Sequence, residues 1–320
     1  MKAIVITKYG DPKKVLQLKE AEKPSPGEKQ VLVKVQAASV NVADLAPIIG
    51  PFVGRLLGTG LLRPKRDRPG TDVSGRVEAV GPNVTRFKPG DEVFGAAAGS
   101  YAEYVLAKED NLVPKPANVS YEAAAAVPVA AISALQGLRY GGIQAGQKVL
   151  IYGASGGVGT FAVQIAKAFG AEVTAVTSPL NLDQARSLGA DYVIDYTKED
   201  FALSGKTYDL ILAVNGYHSI SAYRRALSRT GHCVLVGGSL RQVLGALTIG
   251  PMMSKKDGQK IGMMGIAKLN QADLLQLMEM LEAGKIKPLV EKTYPLSQTA
   301  EAVAYLAEHH ARAKVVITVE

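Results

Sequence analysis

Cysteine is nearly absent: Cys233 is the only one in 320 residues. That excludes an internal disulfide framework and every multi-cysteine zinc site, and it fits a reducing cytoplasm. No run approaches the roughly 18 apolar residues that a membrane span requires. The opening Met1-Lys2-Ala3-Ile4-Val5-Ile6 has no apolar signal core or small-residue cleavage site, so a soluble, cytoplasmic chain is expected. Internal repeats and low-complexity segments are also missing. The net charge of +8 is not concentrated. Its densest cluster, Arg63-Pro64-Lys65-Arg66-Asp67-Arg68, has no aromatic-basic signature beside it. A solvated basic surface that mildly attracts anionic ligands is therefore expected, and no nucleic-acid partner.

What is present is ordinary globular composition, 47% hydrophobic and 21% charged, in a chain long enough for two domains. Up to about residue 113 it reads as short β-branched runs broken by Gly, Pro and Asn-Asp: Val31 to Val35, Val73 to Val80, Glu92 to Gly95 and Tyr101 to Val105. After Pro114-Lys115-Pro116 an alanine-rich helix is expected over Tyr121 to Leu138, capped by Ser120. Strands then alternate with helices: Lys148 to Tyr152, Glu172 to Thr177, Tyr192 to Asp195, Leu210 to Val214, Cys233 to Val236 and Lys260 to Met264. This spacing predicts an α/β domain with a doubly wound parallel sheet. Helical spacing over Asn270 to Leu281, a helix near Thr299 to His309 and a strand over Val315 to Val319 follow. The last strand is expected to return to the first domain, which makes that domain discontinuous.

The strongest local signal is Val149-Leu150-Ile151-Tyr152-Gly153-Ala154-Ser155-Gly156-Gly157-Val158-Gly159, a buried strand running through a glycine-rich turn into the helical pattern Thr160 to Phe169. Gly153 permits the tight turn. Gly156 and Gly157, with the backbone of Ser155 and Val158, let N–H groups approach a pyrophosphate, and Gly159 lets the helix pack on the strand. No Lys-Ser/Thr pair follows, which argues against an NTPase loop. The second strand ends Thr177-Ser178 without the carboxylate that would bind the ribose 2′-hydroxyl of NAD(H). Two hydroxyls and Asn181, with Tyr196 beyond the third strand, could bond a 2′-phosphate, so NADP(H) is favoured over NAD(H) although no Arg or Lys lies between Ser178 and Asn181. Arg186 reads equally as a helix-surface residue. The turns at Asn215 and at Gly237-Gly238 end parallel strands, where ligands of this sheet type bind.

Taken with the cradle, Ala38-Ser39-Val40-Asn41-Val42-Ala43-Asp44, Pro69-Gly70-Thr71-Asp72-Val73-Ser74-Gly75, Phe87-Lys88-Pro89-Gly90-Asp91-Glu92-Val93 and Gly99-Ser100-Tyr101-Ala102-Glu103-Tyr104 resemble, end to end, the medium-chain dehydrogenase/reductase superfamily in its zinc-independent quinone-oxidoreductase-like branch. The resemblance implies a GroES-like β domain from residues 1–119 and 287–320 and a Rossmann NADP-binding domain over 120–286. It further implies an active site in the intervening cleft and a homodimer or homotetramer. Zinc-dependent relatives carry a cysteine where this chain has Asn41 and a His-Glu where it has Thr71-Asp72. No zinc is therefore expected, and His218, His232, His309 and His310 show no ligand spacing.

Without a Lewis acid, oxidation of an unactivated alcohol is difficult, whereas a quinone or α,β-unsaturated carbonyl accepts hydride into a conjugated system. By resemblance Asn41 lies beside the nicotinamide or substrate and could donate to a carbonyl oxygen. Asp44 either joins it or only organises its loop, and Ser133 matches a hydroxyl that contacts the nicotinamide end. Tyr101 is a cleft donor or a core residue. Pro47 to Leu62, apolar and glycine-punctuated, is either a mobile lip over the acceptor site or a packed helix. The expected activity is NADPH-dependent reduction of a small quinone or enone. A metal-free carbonyl or alcohol dehydrogenase and a non-catalytic nucleotide-binding scaffold remain as alternatives.

Overall fold

In the computed structural model, which describes residues 1–50, 60, 62–238, 245, 254, 258–308 and 311–320, the chain forms two compact units. The first comprises Met1–Ala130, Leu269–Gly284 and Pro288–Glu320, and the second Ala131–Lys268 with Lys285–Lys287.

In the first unit, β1 (Lys2–Ile6) and β2 (Leu16–Glu20) pair as a small antiparallel ribbon. The main sheet contains β3 (Gln30–Val40), β4 (Asp72–Val80), β5 (Glu92–Ala96), β6 (Tyr104–Lys108) and β7 (Leu112–Pro114). In the second unit, β8 (Lys148–Tyr152), β9 (Glu172–Thr177), β10 (Tyr192–Asp195), β11 (Tyr208–Val214), β12 (Leu227–Val236) and β13 (Lys260–Met263) make one parallel sheet in the order β10-β9-β8-β11-β12-β13. That reversal at β8 is the doubly wound order of a Rossmann domain. The near-continuous apolar runs of β8 and β11 are what a sheet covered on both faces demands. Leu150, Ile151, Ile211 and Leu212 are all fully buried.

The last strands, β14 (Val290–Pro295) and β15 (Lys314–Thr318), belong to the first unit, where the sheet order is β14-β15-β3-β4-β5-β7 with β6 also on β3. β15 runs antiparallel to β3, with Val315 opposite Val40 and Ile317 opposite Ala38. The chain end thus closes the β unit as its alternating apolar pattern implies. The packing of this sheet buries Ile4, Val33, Val73, Tyr101 and Ile317 in one cluster.

Three expectations change. The helix expected over Tyr121 to Leu138 is two helices, Tyr121–Ala125 and Pro128–Tyr140. Pro128 has no N–H to donate and disfavours a helical Val127, so the ladder breaks there. The strand expected from Tyr101 starts at Tyr104. The division of the chain also differs from boundaries at 119/120 and 286/287: Tyr121–Ala125 and Gln271–Glu282 fall in the β unit. Ser74 donates to the Tyr121 carbonyl at 2.6 Å, and Asn118 to the Glu282 carbonyl at 3.3 Å. Most of Pro47 to Leu62, together with Ser239, His309 and His310, lies outside the described residues.

If β15 is integral to the β unit, Ile317→Ala should cost about 2–5 kcal/mol of unfolding free energy, read by denaturant titration. A loss within error of zero would mean that the strand is peripheral.

Candidate functional site

In the dinucleotide unit, Gly153 follows β8 at φ 76°, a conformation a side chain would strain. A Cβ there would stand 2.4 Å from the Val214 carbonyl, and one at Gly159 would stand 2.0 Å from the Gly153 carbonyl. Strand end and helix can therefore meet only if both residues lack side chains. The turn is tied back by Gly153 and Ala154 N–H groups on the Val176 carbonyl, at 3.1 and 3.2 Å. The helix Gly157–Ala168 begins with Gly156 at its N-cap. Its first-turn N–H groups at Gly157 and Val158 find no backbone acceptor among the described residues. With Ser155 on the same turn, they form the positive helix end that suits a pyrophosphate.

At the end of β9, Thr177 and Asn181 are buried, and Thr177 Oγ1 and Asn181 Oδ1 have no hydrogen-bond partner among the described residues. Orphaned polar atoms at such a place suit a polar ligand group. Ser178 Oγ accepts from Asn181 Nδ2 at 2.9 Å, and Tyr196 N–H donates to the Thr177 carbonyl at 3.2 Å while its ring is half-exposed. Arg186 pairs with Asp183 at 2.7 Å on its own helix surface. Sequence reading missed Asp195, which the sheet register sets opposite Thr177. Its Oδ1 accepts from the Thr197 N–H and hydroxyl at 2.9 and 2.7 Å. Asn215, at φ 47°, donates its N–H to the Val236 carbonyl, and its side-chain oxygen closes on Gly237. Gly153, Asn215 and Gly237-Gly238 thus cluster at the carboxyl ends of β8, β11 and β12. Ser133 is buried on the helix Pro128–Tyr140 in this same unit.

The β unit holds a second constellation. Asn41 is the N-cap of the helix Val42–Ile49, but its side chain turns away from the helix. Its Nδ2 donates to Asp72 Oδ2 at 2.9 Å, and its Oδ1 accepts from the Lys314 ammonium at 2.5 Å. Asp72 Oδ2 also accepts from Ser39 at 2.7 Å and lies 3.6 Å from Lys314 Nζ. Its Oδ1 takes the Val129 N–H at 3.0 Å, a first-turn donor of the helix that the Pro128 break creates. Asp44 accepts from Asn41 N–H, Tyr101 Oη and Thr71 Oγ1 at 2.9, 3.0 and 2.9 Å. Tyr101 is 1% exposed, which settles it as a core residue serving Asp44.

Lys314 escaped sequence reading because it lies 273 residues from Asn41. The only local signal is a lysine opening the apolar run Val315-Val316-Ile317. It is 3% exposed, and burial lowers its pKa against the opposing pull of Asp72 and Asp44. Burial first, and then the Asp72 charge, raises Asp44 from 3.8 to about 6 despite its three donors. Burial also pushes the Tyr101 hydroxyl well above 10, reinforced by Asp44. The constellation can hold a fixed amide and two carboxylates around one ammonium, in a place too dry for any of them to be left alone.

Among the described residues no group of three His, Cys, Asp or Glu side chains converges to hold a metal ion. His218 instead packs edge-on against Phe201 and Tyr152, and His232 lies tilted against Tyr140.

A doubly wound sheet with a glycine cradle, joined in one chain to a β unit closed by the C-terminal strand, defines the two-unit dehydrogenase class. Residues 27–117 match the alcohol dehydrogenase GroES-like domain, and residues 188–317 a family described as zinc-binding dehydrogenase. The chain is 34% identical to the 2-methylene-furan-3-one reductase of Solanum lycopersicum, over 99% of itself and 79% of that protein. It is 33% identical, with the same coverage, to the chloroplastic NADPH-dependent alkenal/one oxidoreductase of Arabidopsis thaliana. The quinone oxidoreductase structure from Coxiella burnetii superposes with a TM-score of 0.86 at 30% identity, covering 100% of this chain and 99% of that one. The chain belongs to the medium-chain dehydrogenase/reductase superfamily, in its quinone-oxidoreductase-like branch.

Two outcomes test the constellation. Asp44 favours its protonated form in the fold, so its contribution to stability is full below its ordinary 3.8 and is lost as pH rises through about 6. The loss is about 3 kcal/mol. Asp44→Asn should remove that falling component, seen as a change in slope between wild-type and variant unfolding free energies over this interval. Lys314→Met leaves two buried carboxylates without their cation and should cost about 3–5 kcal/mol at neutral pH. The deficit should shrink as pH falls through about 6 and Asp44 protonates; a pH-independent deficit would mean lost packing instead.

Proposed function

We propose that this chain is an NADPH-dependent oxidoreductase that transfers hydride to a quinone or an α,β-unsaturated carbonyl without zinc. The observation that carries the reading is the state of the Asn41 amide. Its oxygen is taken by an ammonium and its orientation is fixed by Asp72, so what it can offer a ligand is an N–H. A cation on the amide oxygen withdraws electron density and makes that N–H a stronger donor, as such chains of hydrogen bonds do.

The dinucleotide fits the residues present: Gly153 to Gly159 leave room for a pyrophosphate, and Thr177, Ser178, Asn181 and Tyr196 surround the ribose end. When bound, it supplies the hydride. The remaining work falls to the chain. Hydride addition to a conjugated acceptor pushes an electron pair onto the carbonyl oxygen, and a proton completes the reduction. Asn41 would donate to the developing oxyanion, Asp44 would hold the Asn41 backbone, and Ser133 would position the nicotinamide end. Asn215, Gly237 and Gly238 would frame the same end through their backbone.

Preference for NADP(H) over NAD(H) is supported by the absence of a carboxylate from Thr177 to Asn181, at the end of β9; the neighbouring Asp195 is engaged with Thr197 through Oδ1 alone. Zinc independence is supported by the donor set: the Asn41 amide and the Thr71 hydroxyl stand where zinc-dependent relatives carry a thiolate and an imidazole, and the Lys314 ammonium lies on the Asn41 oxygen. A homodimer or homotetramer in the cytoplasm accompanies this reading. The oligomer is supported by the family resemblance, and a reducing compartment by the lone buried Cys233, which leaves no internal disulfide to form. Among the described residues no helix is long and apolar enough to cross a membrane.

NADPH oxidation should be fast with a quinone and a 2-alkenal, with NADP+ reduction by a simple alcohol negligible, and chelator treatment should change neither rate. NADPH should exceed NADH in kcat/KM. Asn41→Ala should lower kcat about 100-fold, as loss of one oxyanion donor does, with NADPH affinity unchanged. Activity abolished by chelation and restored by zinc would overturn the metal-free reading. Tight NADPH binding with no turnover across the acceptor panel would make the chain a scaffold.

A further inference from the structure

The densest basic run of the chain is not among the residues assigned to that reaction. In the β unit, Lys65, Arg66 and Arg68, together with Asp67, form one side of a cavity of about 320 Å³. Its other walls include Tyr104, Val105 and the backbone at Gly99. The volume is at the lower end of the range for small-molecule sites.

Lys65 and Arg66 are exposed, and Arg68 is half-buried. The side chains of Lys65, Arg66 and Arg68 make no hydrogen bond or ion pair with any described residue. Elsewhere in the same unit, Lys23 pairs with Glu78 at 2.6 Å, Arg76 with Glu92 at 3.3 Å, Arg86 with Glu109 at 3.7 Å and Lys115 with Glu92 at 3.1 Å. Three positive charges within four residues repel one another, and Asp67 is the single counter-charge among them.

Their frame is held in place. Ile6 N–H donates to the Asp67 carbonyl at 2.7 Å, and Gly99 N–H to the Gly70 carbonyl at 2.9 Å. Gly99 sits at φ 89°, where a Cβ would stand 3.2 Å from Arg68 Cβ, so the absence of a side chain lets the turn close on the arginine. The Tyr104 ring is pinned from one side by the Lys23 ammonium, 4.0 Å from its centroid. Guanidinium groups match phosphate oxygens two at a time, and a tyrosine ring beside buried Val105 offers a flat apolar wall.

We infer that this cavity binds a small phosphate monoester with a flat apolar body, held by Lys65, Arg66 and Arg68 at the phosphate and by Tyr104 and Val105 along the body. The ligand is bound by the β unit alone, independently of the glycine cradle and of the redox reading.

Calorimetric titration of the whole chain, with and without saturating NADP+, using phenyl phosphate and inorganic phosphate as probes, tests this. Phenyl phosphate should bind saturably at one site, more tightly than inorganic phosphate, with or without NADP+, and more weakly as salt is raised. The triple variant Lys65→Ser, Arg66→Gln, Arg68→Gln should bind about tenfold or more weakly at an unchanged melting temperature. Arg66→Gln alone, at an exposed position, should show part of the loss. Absence of saturable binding, equal affinity of the variants, equal affinity of the two probes, or competition by NADP+ would each overturn the inference. Phosphatidic-acid vesicles that bind where phenyl phosphate does not would do the same, since they would make the cations a lipid-facing surface.

Discussion

The β unit is organised around one buried ammonium. Lys314 Nζ lies on the Asn41 amide oxygen and 3.6 Å from the Asp72 carboxylate, with 3% of the residue exposed. A charge in such a place is tolerated only when paired and hydrogen-bonded. The carboxylate needs the cation as much as the cation needs it, and every carboxylate oxygen near them also accepts a hydrogen bond. Ser39 and the Val129 N–H complete Asp72, while Thr71, Tyr101 and the Asn41 N–H complete Asp44. Residues from β3, β4, the helix after Pro128 and the terminal strand are thus drawn to one point. The amide at its centre has a single orientation because all of them are in place.

The dinucleotide unit achieves its order by the opposite means, through missing atoms. Gly153 and Gly159 allow backbone to approach backbone at distances a Cβ would forbid. The helix end is then left with N–H groups at Gly157 and Val158 that find no backbone acceptor among the described residues, and an anion can satisfy them. One unit presents unpaired donors by steric permission. The other presents a single amide donor by electrostatic compulsion.

The elements of the parallel sheet were legible because each strand is a local apolar run bounded by turn residues. The cradle was legible because its glycines are contiguous. The polar cluster at the end of β9 was half legible: Thr177 and Ser178 can be read along the chain, but Asp195 joins them only through the pairing of β9 with β10. The break at Val127-Pro128 was written in the proline and obscured by the alanine-rich pattern around it. Its consequence, a helix end donating to Asp72, could not have been read at all.

Sequence alone determined the class of fold, the glycine-rich turn after β8 and the presence of Asn41 and Thr71-Asp72 where zinc-dependent relatives carry their ligands. All of these are properties of contiguous residues whose chemistry does not depend on what lies opposite. Tertiary structure alone decided that Lys314 is the partner of Asn41, that Tyr101 serves Asp44, and that the Asn41 amide is a donor. A hydrogen bond between residues 273 positions apart is fixed by the register of β15 on β3, and register is set by the burial of whole strands rather than by any motif.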